Sequence, residues 1–141
     1  MEHLDVFKAF EHKDTQTLRR HLEELGFYVN NSDSDGFSLL HISVQHGSTK
    51  CVRLLLVHLN IDVNIRVPKW VTPLFTSITR NRIECLQALL QHKDITVNVQ
   101  NNEMMSPIQF AVTFVRIYSI KMLMNIRTLI YPFRIKMAKL H

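Results

Sequence analysis

With 141 residues, 46% of them apolar and only 3 glycines and 4 prolines, the chain is long enough for one packed domain and too poor in turn formers for a β-sandwich or a disordered tract. Its net charge of +5 is uneven: residues 1–103 carry 11 Lys/Arg against 12 Asp/Glu, whereas residues 104–141 carry 6 Lys/Arg and no acid, so a global argument for nucleic acid fails. The opening MEHLDVFKAF is charged and lacks the apolar stretch of a signal peptide, and the most apolar stretch, Met104–Ile130, is interrupted by Arg116, Lys121 and Arg127, which argues against a membrane span.

Chain order reveals a period. Val29-Asn30, Val63-Asn64 and Val97-Asn98 recur every 34 residues, and so do Ser38, Thr72 and Ser106, and Leu22, Leu56, Leu90 and Met124. A period in the low thirties predicts stacked helical units, each unable to bury its apolar face alone. The first unit, about residues 3–30, is expected to cap the stack, because Lys8, Glu11, Arg19, Arg20, Glu23 and Glu24 surround its helices. In the second unit, about 35–64, Asp33-Ser34-Asp35-Gly36 reads as a turn and Ser38 as a helix cap.

The third unit, about 69–98, opens on Thr72-Pro73, a hydroxyl cap followed by proline at the first helical position. A short helix over about residues 73–79 and a second over about 83–92 are predicted. In the second, Leu86, Leu89 and Leu90 share one face. The fourth unit, about 103–131, repeats the cap at Ser106-Pro107, and residues 132–141 form a short basic tail. Gly26, Asn60 and Asp94 follow the second helices and are expected to accept a left-handed backbone. Between paired helices the period places Lys13, Gly47, Asn81 and Val115, of which β-branched Val115 is the poorest fit to such a turn.

These units resemble ankyrin repeats: the opening at Asp35-Gly36-Phe37-Ser38-Leu39-Leu40-His41, the turn at Gly47, the helix Cys51-Val52-Arg53-Leu54-Leu55-Leu56 and the Val63-Asn64 ending all match that pattern. The resemblance spans about residues 3–131. It implies an all-α solenoid of four helix–turn–helix units with short β-hairpin fingers over residues 1–131. It also implies a non-catalytic scaffold that binds an intracellular protein, in the cytoplasm or the nucleus, through its finger tips and concave helix face. His41 stands where the family's histidine ties its imidazole to neighbouring backbone, a structural role.

At the finger tips the Gly36 position becomes Trp70 and then Met104, and a side chain there costs about 1 kcal/mol or more if the backbone is left-handed. Tryptophan is the residue most enriched at interface hot spots. The expected partner surface is therefore Trp70, with Lys69, Asp33, Asp35, Glu103 and Met104 at equivalent or neighbouring tips. The competing reading folds Trp70 back on its own unit.

Other chemistry finds little support. The chain holds 8 histidines, but His58 and His92 lie one period apart with no C-x-x-C or H-E-x-x-H pattern, so no metal site is expected. No cofactor loop and no nucleophile motif occurs, and Asp33 with Asp35 reads as turn chemistry rather than an acid/base pair. Cys51 and Cys85 occupy equivalent places in neighbouring units, too far apart for a disulfide. The acid-free run from Arg116 to Lys139 interleaves Phe114, Tyr118, Tyr131 and Phe133, whose spacing matches a core better than a stacking platform. Two alternatives stand beside the scaffold: a fragment or isoform of a larger ankyrin-containing protein, pointed to by the apolar surface of the last unit, and a peripheral binder of anionic surfaces through the basic quarter.

Overall fold

The structure, a computed structural model, describes residues 6–8, 14–66 and 71–125. Six complete helices are described: α1 (Thr15–Glu23), α2 (Leu39–Gln45), α3 (Thr49–Leu56), α4 (Pro73–Thr79), α5 (Ile83–Leu90) and α6 (Pro107–Thr113). Residues 6–8 and 117–125 are also helical. Caps set the starts. Asp14, Ser38, Thr72 and Ser106 each accept a hydrogen bond from a first-turn backbone N–H through the side chain. At Ser106 the bond is reciprocated, because the Gln109 side chain accepts from the Ser106 N–H at 2.8 Å, a capping box that the sequence reading passed over.

Within a pair, helices are joined by one left-handed residue. Gly47, Asn81 and Val115 have φ of 68°, 55° and 52°. The N–H after each turns back onto the first helix: Ser48 to Ser43 O at 2.9 Å, Arg82 to Ser77 O at 2.7 Å and Arg116 to Ala111 O at 2.8 Å. This closure satisfies carbonyls at the helix C-terminus and needs positive φ at its corner. Asn60 and Asp94 differ from expectation. Neither is left-handed, while Gly26 is. Their N–H groups instead donate to His58 Nδ1 and His92 Nδ1, both at 3.1 Å, so the histidine side chain closes the turn that a left-handed corner would otherwise close.

Pairs stack in two layers. The first helices pack in the order α2, α4, α6, and the second helices in the order α1, α3, α5. Between the layers lie Leu39, Leu40, Val44, Cys51, Val52, Leu55, Leu74, Ile78, Cys85, Leu86 and Leu89, all buried. Leu56 and Leu90 are only partly buried, because they pack against the edge of this core rather than inside it. Among the described residues there is no sheet. The fingers show one isolated antiparallel bridge, Ser32 with Ser38.

Candidate functional site

The described finger tips share one construction. At the first, Asp33 Oδ1 accepts from the N–H groups of Asp35 and Phe37, both at 2.9 Å, and the Asp33 N–H donates to Phe37 O at 2.9 Å. At the other, Asn101 Oδ1 accepts from Glu103 at 2.9 Å and Met105 at 3.0 Å, and the Asn101 N–H donates to Met105 O at 2.9 Å. Each tip is thus a side-chain-held turn that leaves Asp35 and Glu103 exposed. The corner residue is Gly36 with φ 86° in one and Met104 with φ 63° in the other. Met104 carries a side chain into a conformation that L residues avoid, and that side chain is 70% exposed. The structure joins Asp33 with Asp35, and Glu103 with Met104; Lys69 and Trp70 lie outside the described residues.

What fixes one finger relative to the next is a ladder that the sequence pattern displayed without explaining. Asn30 Nδ2 donates to Asn60 O at 2.8 Å while its Oδ1 accepts from the Asp62 N–H at 2.8 Å. One period on, Asn64 Nδ2 donates to Asp94 O at 2.7 Å and its Oδ1 accepts from the Thr96 N–H at 2.8 Å. A side-chain amide carries a donor and an acceptor side by side, which suits asparagine at positions 30 and 64 to bridge a carbonyl and an N–H of the next unit. The preceding Val29 and Val63 are buried and anchor the strut.

A second set of struts runs backward along the stack. Arg82 donates through Nε and a terminal nitrogen to Gln45 O at 3.2 and 3.0 Å, and Arg116 donates to Thr79 O at 3.2 Å. Both carbonyls lie at the C-terminus of a first helix, where a cation is favoured by the helix dipole. The arginines' shared spacing was visible in the sequence, but which carbonyl they reach was not.

The histidines and cysteines have structural work. His41 is fully buried, with Nδ1 at 2.7 Å from Ser38 Oγ and Nε2 at 2.8 Å from Val71 O of the next unit. Nε2–H donating to the carbonyl and Nδ1 accepting from the hydroxyl satisfy a neutral ring. Burial holds the His41 pKa below its ordinary value, opposed in part by the bond to Val71. Among the described residues no group of His, Cys, Asp and Glu is arranged to hold a metal ion. Cys51 and Cys85 are both free and buried, and burial raises both thiols above the usual range. That disfavours the reactive thiolate.

His21 is a different case. It stands where the period puts Leu55, Leu89 and Leu123, and it is buried with neither ring nitrogen hydrogen-bonded. Glu24 Oε2 lies 3.4 Å from Nδ1, within ion-pair distance but not aligned as a hydrogen bond.

In the last pair, Phe114 and Tyr118 depart from the core placement that their spacing suggested. They are 52% and 65% exposed, because no further described layer covers the outer side of this pair. Lys121 Nζ lies 5.9 Å from the Tyr118 ring centroid. No described helix is long and apolar enough to cross a membrane.

Comparison with known proteins agrees with this architecture. Residues 35–67 match the family model of the ankyrin repeat. No curated protein matches the chain significantly. Among solved structures, the crystal structure of the ankyrin repeat protein EF0377 is similar, with a TM-score of 0.76 and 21% identity over 85% of this chain. The chain spans 60% of that protein's length.

Proposed function

We propose that this chain, an ankyrin repeat protein in the sequence of its second unit and in its fold, is a non-catalytic protein-interaction module that captures an intracellular protein through its finger tips and the concave face of its first helices. Ankyrin repeats are generally protein–protein interaction modules, and their fold is typically non-enzymatic. The observation that carries the reading for this chain is Met104: a solvent-facing side chain at φ 63°, where the equivalent tip has glycine. A left-handed non-glycine residue costs about 1–2 kcal/mol. Strain of this kind persists mostly at functional sites. Trp70, outside the described residues, occupies the same period position in the sequence, so two successive units carry a large residue where the first has glycine.

The mechanism is rigid presentation. Asparagine and arginine struts hold neighbouring units in register, so little ordering entropy is lost when a partner binds. Asp33, Asp35 and Glu103 add acidic tips, and Lys69 a basic one.

The test is partner capture by the intact chain and by two variants. Met104→Gly should bind the partner more weakly while melting at a higher temperature, because it relieves strain and removes a contact together. Trp70→Ala should weaken capture about thirtyfold, the equivalent of losing ~2 kcal/mol at a hot spot, with the melting temperature nearly unchanged. Intact capture by both variants would move the binding surface away from the tips.

A further inference from the structure

Among the described turns that follow second helices, the two that receive an asparagine strut are the two that carry a histidine. His58 Nδ1 accepts from the Asn60 N–H and His92 Nδ1 from the Asp94 N–H, both at 3.1 Å. Asn30 grips the first of these turns at Asn60 O and the Asp62 N–H, and Asn64 grips the second at Asp94 O and the Thr96 N–H. The first unit differs in both respects. Glu24 stands at the histidine place, Gly26 makes the corner at φ 81°, and among the described residues no strut reaches it.

An acceptor at Nδ1 exists only on a neutral ring that carries its proton on Nε2. Protonation puts a hydrogen on Nδ1, and two donors then face each other across 3.1 Å. The turn has to open for them to part. That movement reaches the struts directly, because Asn60 and Asp94 each give an N–H to the histidine and a carbonyl to the asparagine. Both rings are half-buried, so protons reach them without unfolding. The surrounding charges are mixed. His58 shares a cleft with Arg19 and Glu23 of α1, whose other ionisable groups are Arg20 and the buried His21 beside Glu24. On α5 the charged side chain is Glu84, at the helix's far end against Thr49. His92 has Lys93 and Asp94 as its charged chain neighbours. The flanking helices carry Lys50 and Arg53 on α3 and Lys121 on residues 117–125, so neither offers His92 a carboxylate to hold an imidazolium in place.

We propose that His58 and His92 form a pH-sensitive latch on the register of the stack. Mild acid protonates both rings, opens the two turns and releases the Asn30 and Asn64 struts, so that neighbouring fingers move independently. The latch sets the spacing between fingers whatever they bind, so it stands or falls apart from the finger-tip reading.

The experiment follows backbone amide exchange by NMR in the full chain at about pH 7.5 and about pH 5.5, spanning the range in which histidine changes charge, with rates corrected for the intrinsic effect of pH. Protection at Asn60, Asp62, Asp94 and Thr96 is expected to fall about fivefold in acid, the equivalent of losing a hydrogen bond of ordinary strength. The double variant His58→Asn with His92→Asn keeps an acceptor that does not titrate, because an asparagine side chain bonds the backbone N–H two residues on. Its protection at these four amides should be the same at both pH values. The double variant His58→Ala with His92→Ala should be poorly protected at both. An equal fall in the asparagine variant traces the effect to another group, such as His41, and overturns the proposal. Constant protection in the native chain overturns it too, as does an alanine variant protected as well as the native chain at the higher pH.

Discussion

At the scale of single residues, this stack departs from its own period at a few places, and each departure has a physical consequence. Val115 occupies the corner that Gly47 and Asn81 occupy in the preceding units, at φ 52°. A β-branched side chain there is a backbone outlier. Because Val115 is exposed, removing its side chain forfeits little packing. Val115→Gly is expected to stabilise the protein by ~1 kcal/mol, the αL penalty less glycine's extra entropy. Thermal denaturation should show a rise of a few degrees, and an unchanged or lower midpoint would mean that the corner is not strained. His41 makes a second prediction, in pH. Burial lowers its folded pKa, so below about pH 6.5 the unfolded chain binds a proton that the native ring excludes. Its full stabilising contribution is present above that pH and is lost as pH falls toward the lowered folded value. The slope is at most ~1.4 kcal/mol per pH unit. Urea midpoints measured from pH 7 down to 5 should fall more steeply for the native chain than for His41→Gln, and parallel curves would contradict this.

At the scale of elements, the units hold together by two different means. Leucines between the layers supply burial, and Leu89 has no exposure. Leu89→Ala should cost ~2–5 kcal/mol, as such truncations do in packed cores. Asn64 supplies two exposed hydrogen bonds between turns of adjacent units. Asn64→Ala should cost only ~1–3 kcal/mol, at about 0.5–1.5 per bond. Urea denaturation of the two variants checks the ranking, and the reverse order would mean that the struts rather than the core carry the stack. The caps, the helix pairs and the leucine positions were legible because each repeats in residue type: Ser38, Thr72 and Ser106 announce the helix starts before any coordinate is known. The partners of the asparagines and arginines were not legible. They join residues 30 to 37 positions apart through backbone carbonyls and amides, which have no sequence signature. The turns at Asn60 and Asp94 were misread for a related reason. The residue types allowed a left-handed corner, but the histidine two positions earlier closes the turn through its own Nδ1.

At the scale of the whole molecule, the stack is asymmetric. Interior units are packed on both sides, whereas the described part of the fourth presents exposed Val112, Phe114, Ile117 and Met124. In a linear stack each unit is stabilised by its neighbours, so a unit covered on one side opens first. Native-state hydrogen exchange should therefore be faster over residues 107–125 than over 73–90, and equal protection would mean that the outer face is covered in the free chain. The candidate finger surface was legible in part: the turn at Asp33 and the misplaced side chain at Met104 follow from sequence, while the partner does not, since ankyrin folds of similar geometry serve unrelated partners. The central claim, capture through the fingers, is tested most directly by site-specific photocrosslinking. A photoreactive residue is placed at position 35, 70 or 103 on the tips, or at exposed positions 53 or 87 on α3 and α5, and the crosslinked proteins are identified in cells. The account expects one common protein adduct from the three tip positions and none of it from positions 53 and 87. That adduct forming equally from the second helices, or only from them, would contradict it.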